Sequence, residues 1–357
     1  MSYPTPPNPK SNVKRAGRAI GAGTATDADF ELVDQWRSSH GYVINTFQAW
    51  LKGQIKKKNY NVEFAQRLKR RATVIDKLKR VRPDGQPLIQ DVTSMQDLAG
   101  CRLVFETLDE LIDFRSHMRS EGVLRNVKHK LKNDEDKFDY IESPKDTGYR
   151  GIHDVYRHQP RQHRRTSVSS DPWHGLLVEV QYRTRTQHAW ATAVEISDMI
   201  DQERTKFVTG LDNNDDNRVQ FFRIASEIIA RTYENKQKAL LDKSTNDLQN
   251  DLQNLENDLH IMDRLEALKS FSDGDSLGRH SVLNIIREND VLNLQVLPFK
   301  NAEAAIAMAN HLELLENSIN AVYVRSDNPS QLRSIYRNYF NDPIDFVKLL
   351  KSEAELK

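Results

Sequence analysis

The run Leu177-Val-Glu-Val-Gln-Tyr-Arg-Thr184 constrains this chain more than any other stretch. Apolar Val178, Val180 and Tyr182 alternate with polar Glu179, Gln181 and Arg183. A strand has a side-chain period of two, so the two sets point to opposite faces. A row of Glu, Gln and Arg is costly inside a core. It suits a sheet with one packed face and one face flooring a polar cleft, although an ordinary half-solvated strand shows the same alternation. Cys101–Phe105 and Gly151–Tyr156 read as two more short strands. Between them lie helical spacings at about 29–51 (Phe30, Val33, Trp36, Val43, Ile44, Phe47, Leu51), at about 60–80 in one or two pieces, at 108–118 and at 186–200. Pro83 and Gly85 break the second of these. Strands interleaved with helices predict a mixed α/β (α+β) sheet domain over residues 29–205.

Residues 1–28 read as a tail: a proline-rich, disordered start to residue 10, then a short basic helix from Ser11 to Ile20 ended by Gly21-Ala22-Gly23. Residues 206–270 read as a helical extension. Within it Leu248, Leu252, Leu255, Leu259 and Met262 make an a/d seam of only about two heptads, which favours packing on the same chain over a coiled coil. Ser270 to Gly278 has the composition of a linker. Residues 271–357 alternate strand (Leu292–Phe299), helix (Ala302–Leu315), strand (Asn320–Val324) and helix (Pro329–Phe340), and so predict a small α/β accessory or regulatory domain.

A chain of 357 residues is long enough for more than one core. Its 52 basic and 51 acidic residues nearly cancel, so no global field points to nucleic acid, yet Lys52, Lys56 to Lys58 and Arg67 to Arg82 make the front half basic. Cys101 is the only cysteine, which excludes an intramolecular disulfide and fits a reducing compartment, hence the cytoplasm. Neither a secretory signal nor an apolar run of about 18 residues is present, so no membrane is expected.

Four stretches carry chemistry. In Arg67 to Arg80, Thr73 and Asp76 resemble a capping box, so a helix starting at Thr73 would aim free N–H groups at an anion. Arg67, Lys69, Lys77 and Arg80 would gather around that end as a triphosphate site; the bland reading is a solvated basic helix. In Gln96 to Phe105, Asp97 precedes the turn Ala99-Gly100, and a carboxylate there can hold Mg²⁺ through one or two oxygens. Arg102 would face the same cleft, although Asp before a turn is also an ordinary turn former. In Asp139 to His153, the turn Pro144–Gly148 presents Lys145 and an exposed Tyr149, a platform on which a nucleobase stacks, or else an aromatic that simply packs. His153-Asp154 is a weak hint of an HD-type metal site. The fourth stretch is the alternating strand itself.

Taken in order, these stretches resemble the (p)ppGpp synthetase domain of RelA/SpoT-type proteins. The pattern is a basic R-x-K segment followed by Ser/Thr and Lys (here Arg67, Lys69, Thr73 and Lys77), then D-x-x-G-x-R (Asp97, Gly100, Arg102). It continues with Tyr-Ile, Pro-Lys, Gly-Tyr and His (Tyr140-Ile141, Pro144-Lys145, Gly148-Tyr149, His153) and ends in E-x-Q-x-R-T (Glu179, Gln181, Arg183, Thr184). The resemblance implies a nucleotidyltransferase-like mixed sheet flanked by helices. It also implies transfer of the β,γ-pyrophosphate of ATP to a ribose 3′-hydroxyl, most simply of GDP or GTP. Arg67, Lys69, Thr73, Lys77, Arg80 and Arg102 would then bind ATP. Asp97 and Glu179 would be catalytic and hold Mg²⁺. Lys145, Tyr149, His153, Gln181 and Arg183 would bind the acceptor.

Thr147 and Gly151 stand where the family often has Asn and Ser, which leaves the acceptor open. About 60 residues precede the motifs, too few for the hydrolase domain of bifunctional members, so no (p)ppGpp hydrolysis is expected. Two alternatives remain. One is a toxin-type relative that pyrophosphorylates the tRNA 3′ CCA end, with 271–357 as a fused antitoxin or sensor and, by analogy, a role in phage defence. The other is an inactive nucleotide-binding scaffold. A homo-oligomer and a protein ligand of the C-terminal part are further options.

Overall fold

The computed structural model describes residues 3–127, 129–159, 171–201, 216–236, 240, 242–266, 279–288, 291–315, 317–325 and 342–352. Helix α1 (Lys10–Ala22) lies on α2 (Asp27–Lys58), the longest helix described. Thr26 and Asp29 form a reciprocal capping box at the start of α2. Asn59, left-handed at φ 56°, ends it. The basic run Lys56 to Lys58 is its last turn, where cations complement the helix dipole, and Lys58 pairs with Asp113 at 2.7 Å. The tail expected to be disordered is packed where described: the Tyr3 ring sits edge-on to Tyr42, and Trp173 Nε1 donates to the Pro4 carbonyl at 2.9 Å.

Helix was expected over 60–80, but its first part is strand β1 (Glu63–Leu68), and helix α3 covers only Arg71–Lys79. The run Glu63-Phe-Ala-Gln-Arg-Leu68 has little β-propensity of its own; pairing with the next strand decides its state. Strand β2 (Ala99–Phe105) follows, then α4 (Leu108–Arg119), α5 (Glu121–Val127), β3 (Lys130–Leu131), β4 (Ile152–Arg157) and β5 (Leu177–Thr184). The five strands order as β1-β2-β5-β4-β3. β2 and β5 are parallel neighbours at the centre, and the other pairings are antiparallel. The expected mixed sheet flanked by helices is thus the fold of this part.

The register gives the sheet two unlike faces. On one, Phe64, Cys101, Leu103, Val178, Val180, Tyr182 and Ile152 pack with α2 and α4 in the main core. On the other, Arg67, Gly100 and Glu179 form one row across three strands, and Arg102, Gln181 and His153 form the next. Helix α6 (Arg185–Asp201) follows β5 directly and lies over this polar face.

Helix α7 (Asn217–Glu234) brings Phe221, Phe222, Ile224, Ala225, Ile228 and Ile229 into a second core with Tyr149, Trp190 and Val194. Helix α8 (Thr245–Leu259) packs against α7, so the leucine seam is intramolecular: Leu248 and Leu252 are buried, and Leu255, Leu259 and Met262 are half-buried against the same cluster. A short α9 (Ile261–Glu266) closes this part. The linker expected from Ser270 to Gly278 lies outside the described residues.

Strands β6 (His280–Glu288) and β7 (Val291–Phe299), helix α10 (Ala302–Leu312) and strand β8 (Ser318–Arg325) form an antiparallel sheet ordered β7-β6-β8 with α10 packed on it. Ala302, Ala305, Ile306 and Ala309 of α10 also join the main core. The helix expected at Pro329–Phe340 falls outside the described residues; residues 342–352 are helical.

Candidate active site

A cleft opens between the polar face of the five-stranded sheet and α6. Arg67, Lys69, Asp97, Arg102, Glu179 and Gln181 all line it. Asp97 sits two residues before β2, and Glu179 is on β5, paired in register with Gly100. A glycine at that point puts no side chain beside the Glu179 carboxylate. The two acidic residues thus come from adjacent parallel strands to one cavity, and the charge of Asp97 acts on Glu179.

Two ammonium groups grip Asp97. Lys69 Nζ lies 2.8 Å from its Oδ2, and Lys77 Nζ lies 3.0 and 3.1 Å from the two oxygens. Burial alone would raise the Asp97 pKa, but the charges of Lys69 and Lys77 hold it well below the carboxylate range. Glu179 Oε1 faces His153 Nδ1 at 3.1 Å, and Gln181 Nε2 donates to Glu179 Oε2 at 2.6 Å. Burial is again outweighed, here by His153, and Glu179 titrates at about 2. Both carboxylates are therefore ionised oxygen donors facing shared space.

Thr73 and Arg80 stand apart from this group. Helix α3 starts at Arg71 rather than Thr73, and Arg70 caps it without a side-chain bond. Asp76 reaches Arg80 at 2.7 Å instead of closing a capping box with Thr73. The helix N-terminus expected to receive phosphate is occupied: Glu313 Oε2 accepts the Arg71 N–H at 2.5 Å. A residue 242 positions away in sequence took that place, which no local pattern could reveal. The cations that do face the cleft are Arg67, Lys69 and Arg102.

Tyr149 was expected to be exposed and is only 7% exposed. Its ring stands edge-on to Tyr140, His153 and Trp190. Its hydroxyl lies 2.6 Å from His153 Nε2 and accepts from Arg183 Nη2 at 3.1 Å. Despite burial, the charges of Arg183 and His153 lower the phenol to about 7. The cause of the enclosure is α7. Gly148, at φ +86°, presses so close that an added Cβ would sit 2.9 Å from Arg223 Cα, and Ser226 Oγ donates to the Gly148 carbonyl at 2.5 Å. Lys145 stays beside the ring, its ammonium 4.4 Å from the Tyr140 centroid and 5.0 Å from that of Tyr149. Gly151 has a steric reason as well: at φ +143°, its Cβ would stand 3.3 Å from the Tyr149 hydroxyl.

Asp154 points to the opposite face from His153, fully buried, and binds Arg119 at 2.7 Å and Arg115 at 3.3 Å. That removes the HD-type reading. His188, Thr192 and Glu195, one side of α6, also wall the cleft, together with Glu63 and Gln66 of β1, and none of them was expected there. The helical period after the E-x-Q-x-R-T motif was the available signal for the first three. Leu283 and Asp342 of the C-terminal part also line the cleft, and Asp342 lies 3.1 Å from His188 Nε2.

The fold thus sets the carboxylates of Asp97 and Glu179 and the cations of Arg67, Lys69 and Arg102 around one cleft of a mixed-sheet domain. Residues 66–199 match the family described as the region found in RelA / SpoT proteins. The chain is also similar to small alarmone synthetase 1 of Bacillus subtilis bound to its product pppGpp, with 22% identity over 54% of this chain and 89% of that one, TM-score 0.41. For small alarmone synthetase 2 of the same organism the figures are 16%, 54%, 89% and 0.38. For a GTP pyrophosphokinase family protein from Streptococcus pneumoniae they are 18%, 56%, 88% and 0.35. No curated protein matches the chain. Among the described residues no helix is long and apolar enough to cross a membrane.

Proposed function

We infer that the chain is an ATP pyrophosphokinase, moving the β,γ-pyrophosphate of ATP to the ribose 3′-hydroxyl of GDP or GTP. One observation carries this reading: two ionised carboxylates, Asp97 and Glu179, share a cleft floored by Arg67, Lys69 and Arg102. The RelA/SpoT-type region supports the reaction class.

Magnesium fits the donor set. Among the described residues no group of three or more His, Cys, Asp or Glu is arranged to hold a metal ion. Mg²⁺ needs no such cage, because it takes one or two carboxylates and fills the rest of its shell with phosphate and water. Asp97 and Glu179 would hold it, and it would offset charge building on the transferred group. The chain's own residues do the rest. Arg67, Lys69 and Arg102 bind the triphosphate, and Lys77 leaves Asp97 for phosphate when nucleotide enters. The 3′-oxygen bonds to the β-phosphorus as the bridge to the α-phosphate breaks, AMP leaves, and the hydroxyl proton passes to Glu179 or solvent. Arg102 and Lys69 stabilise charge on the non-bridging oxygens. Gln181 orients Glu179. Lys145, Tyr149, His153 and Arg183 form the acceptor side.

The test is to incubate the full chain with Mg²⁺, γ-³²P-labelled ATP and, separately, GDP, GTP, ATP or deacylated tRNA. Label on GDP or GTP is expected. Label on tRNA alone would move the protein to the toxin-type class. A folded protein that labels no acceptor would make it a nucleotide-binding scaffold and end this reading.

A further inference from the structure

We propose that Arg37, on α2 and outside every motif, is a positioning residue for the turn carrying Lys69, and that it holds that turn through the docked end of α10. The inference rests on the reading of the cleft as a triphosphate site. Arg37 is 3% exposed. Its guanidinium divides three ways: Nε donates to the Lys69 carbonyl, Nη1 donates to Asn310 Oδ1, and Nη2 lies 3.6 Å from Glu313 Oε1. The second oxygen of Glu313 accepts the Arg71 N–H at 2.5 Å. Arg71 is tied back to α2 by its own Nε, 2.7 Å from Asp34.

The backbone between β1 and α3 is thereby held from both sides. The Lys69 N–H donates to the Leu98 carbonyl at 2.8 Å, next to Asp97, and the Lys69 carbonyl is taken by Arg37. Both bonds fix the residue whose ammonium reaches Asp97 at 2.8 Å. Only a planar fork can serve three separate acceptors in fixed directions, so lysine is no substitute. A buried guanidinium also needs a compensating charge, and Glu313 supplies it. α10 is well placed for this: its apolar side shares the main core with α2, and Ile306 Cδ1 would be 3.3 Å from a Cβ on Gly41, one turn beyond Arg37. The C-terminal part therefore completes the phosphate turn as a structural member of it.

The experiment is calorimetric titration of the full chain with a non-hydrolysable ATP analogue and Mg²⁺. The variants are Arg37→Lys, Asn310→Ala, Lys69→Ala and the double variant Arg37→Lys/Lys69→Ala, with melting curves for each. Arg37→Lys is expected to weaken binding about tenfold and Asn310→Ala about threefold. If Arg37 acts through Lys69, its substitution becomes silent once the Lys69 ammonium is gone, which mere destabilisation would not produce. Wild-type affinity in Arg37→Lys, or losses that add in the double variant, would overturn the proposal and leave the cleft reading intact. A folded wild-type protein that binds no analogue would overturn both. Should Arg37→Lys not fold, Asn310→Ala decides alone: unchanged affinity sinks the proposal.

Discussion

At the scale of single residues, Asp97 faces two competing demands. It is held by Lys69 and Lys77, yet the proposed reaction needs its oxygens for a cation and the two ammonium groups for phosphate. Asp97→Asn should separate these roles. With the carboxylate gone, the two lysines are freed for the polyphosphate, so ATP-analogue affinity in the absence of divalent cation should rise severalfold. Transfer with Mg²⁺ should fall by about 10²–10³ or more. Binding that weakens without Mg²⁺ would show that the lysines do not face the nucleotide. The pairing of Asp97 with Glu179 was legible in the chain as two motifs more than eighty residues apart. The enclosure of Tyr149 was not, since the helix that covers it begins only at Asn217.

Elements show the same division. β5 could be read from its own alternation, and α2 from its apolar spacing, because each signal is local. β1 carries no comparable signal and becomes a strand by pairing with β2. Helix α7 lies beyond residue 199, where the family match ends, yet it packs against Tyr149. Its Glu227 is fully buried between Arg150, at 2.6 Å, and Arg231, at 3.0 Å. Arg150 neighbours Tyr149, so this pair links the helix to the loop. Glu227→Ala strands a guanidinium that is 3% exposed and should cost about 3–5 kcal/mol of stability in urea unfolding. Replacing Arg150 and Glu227 together by apolar residues of similar volume should cost clearly less. Equal losses from the single and double changes would mean that the helix is held by apolar packing alone.

The whole molecule should lose stability in mild acid. His40, His129 and His158 are each buried, and burial pushes their pKa values down to about 4, 3 and 4. A depressed folded pKa means that the unfolded chain takes up protons first. Stability from these groups is therefore complete above about pH 6.5 and is lost as pH falls toward 4. The slope is roughly 1.4 kcal/mol per pH unit for each histidine. Asp342 works in the opposite sense. Burial raises its carboxyl to about 7, so folding gains stability there as pH falls from 7. The net expectation is a melting temperature that drops from pH 7 to pH 5. His158→Phe, which keeps the ring contacts with Tyr42 and His129, should flatten the drop. A flat wild-type profile would show that these imidazoles are protonated in the folded state.

The two-faced sheet has a consequence for how reliably such a protein is made. Arg67, Arg102, Glu179 and Gln181 reach the cleft because three strands keep one alignment. Sliding any strand by a single residue would turn its share of these groups into the oil and lift valines and leucines into water. Misaligned chains are thus rejected by the hydrophobic effect before chemistry is ever attempted, and assembly itself acts as a proofreading step for the reactive groups.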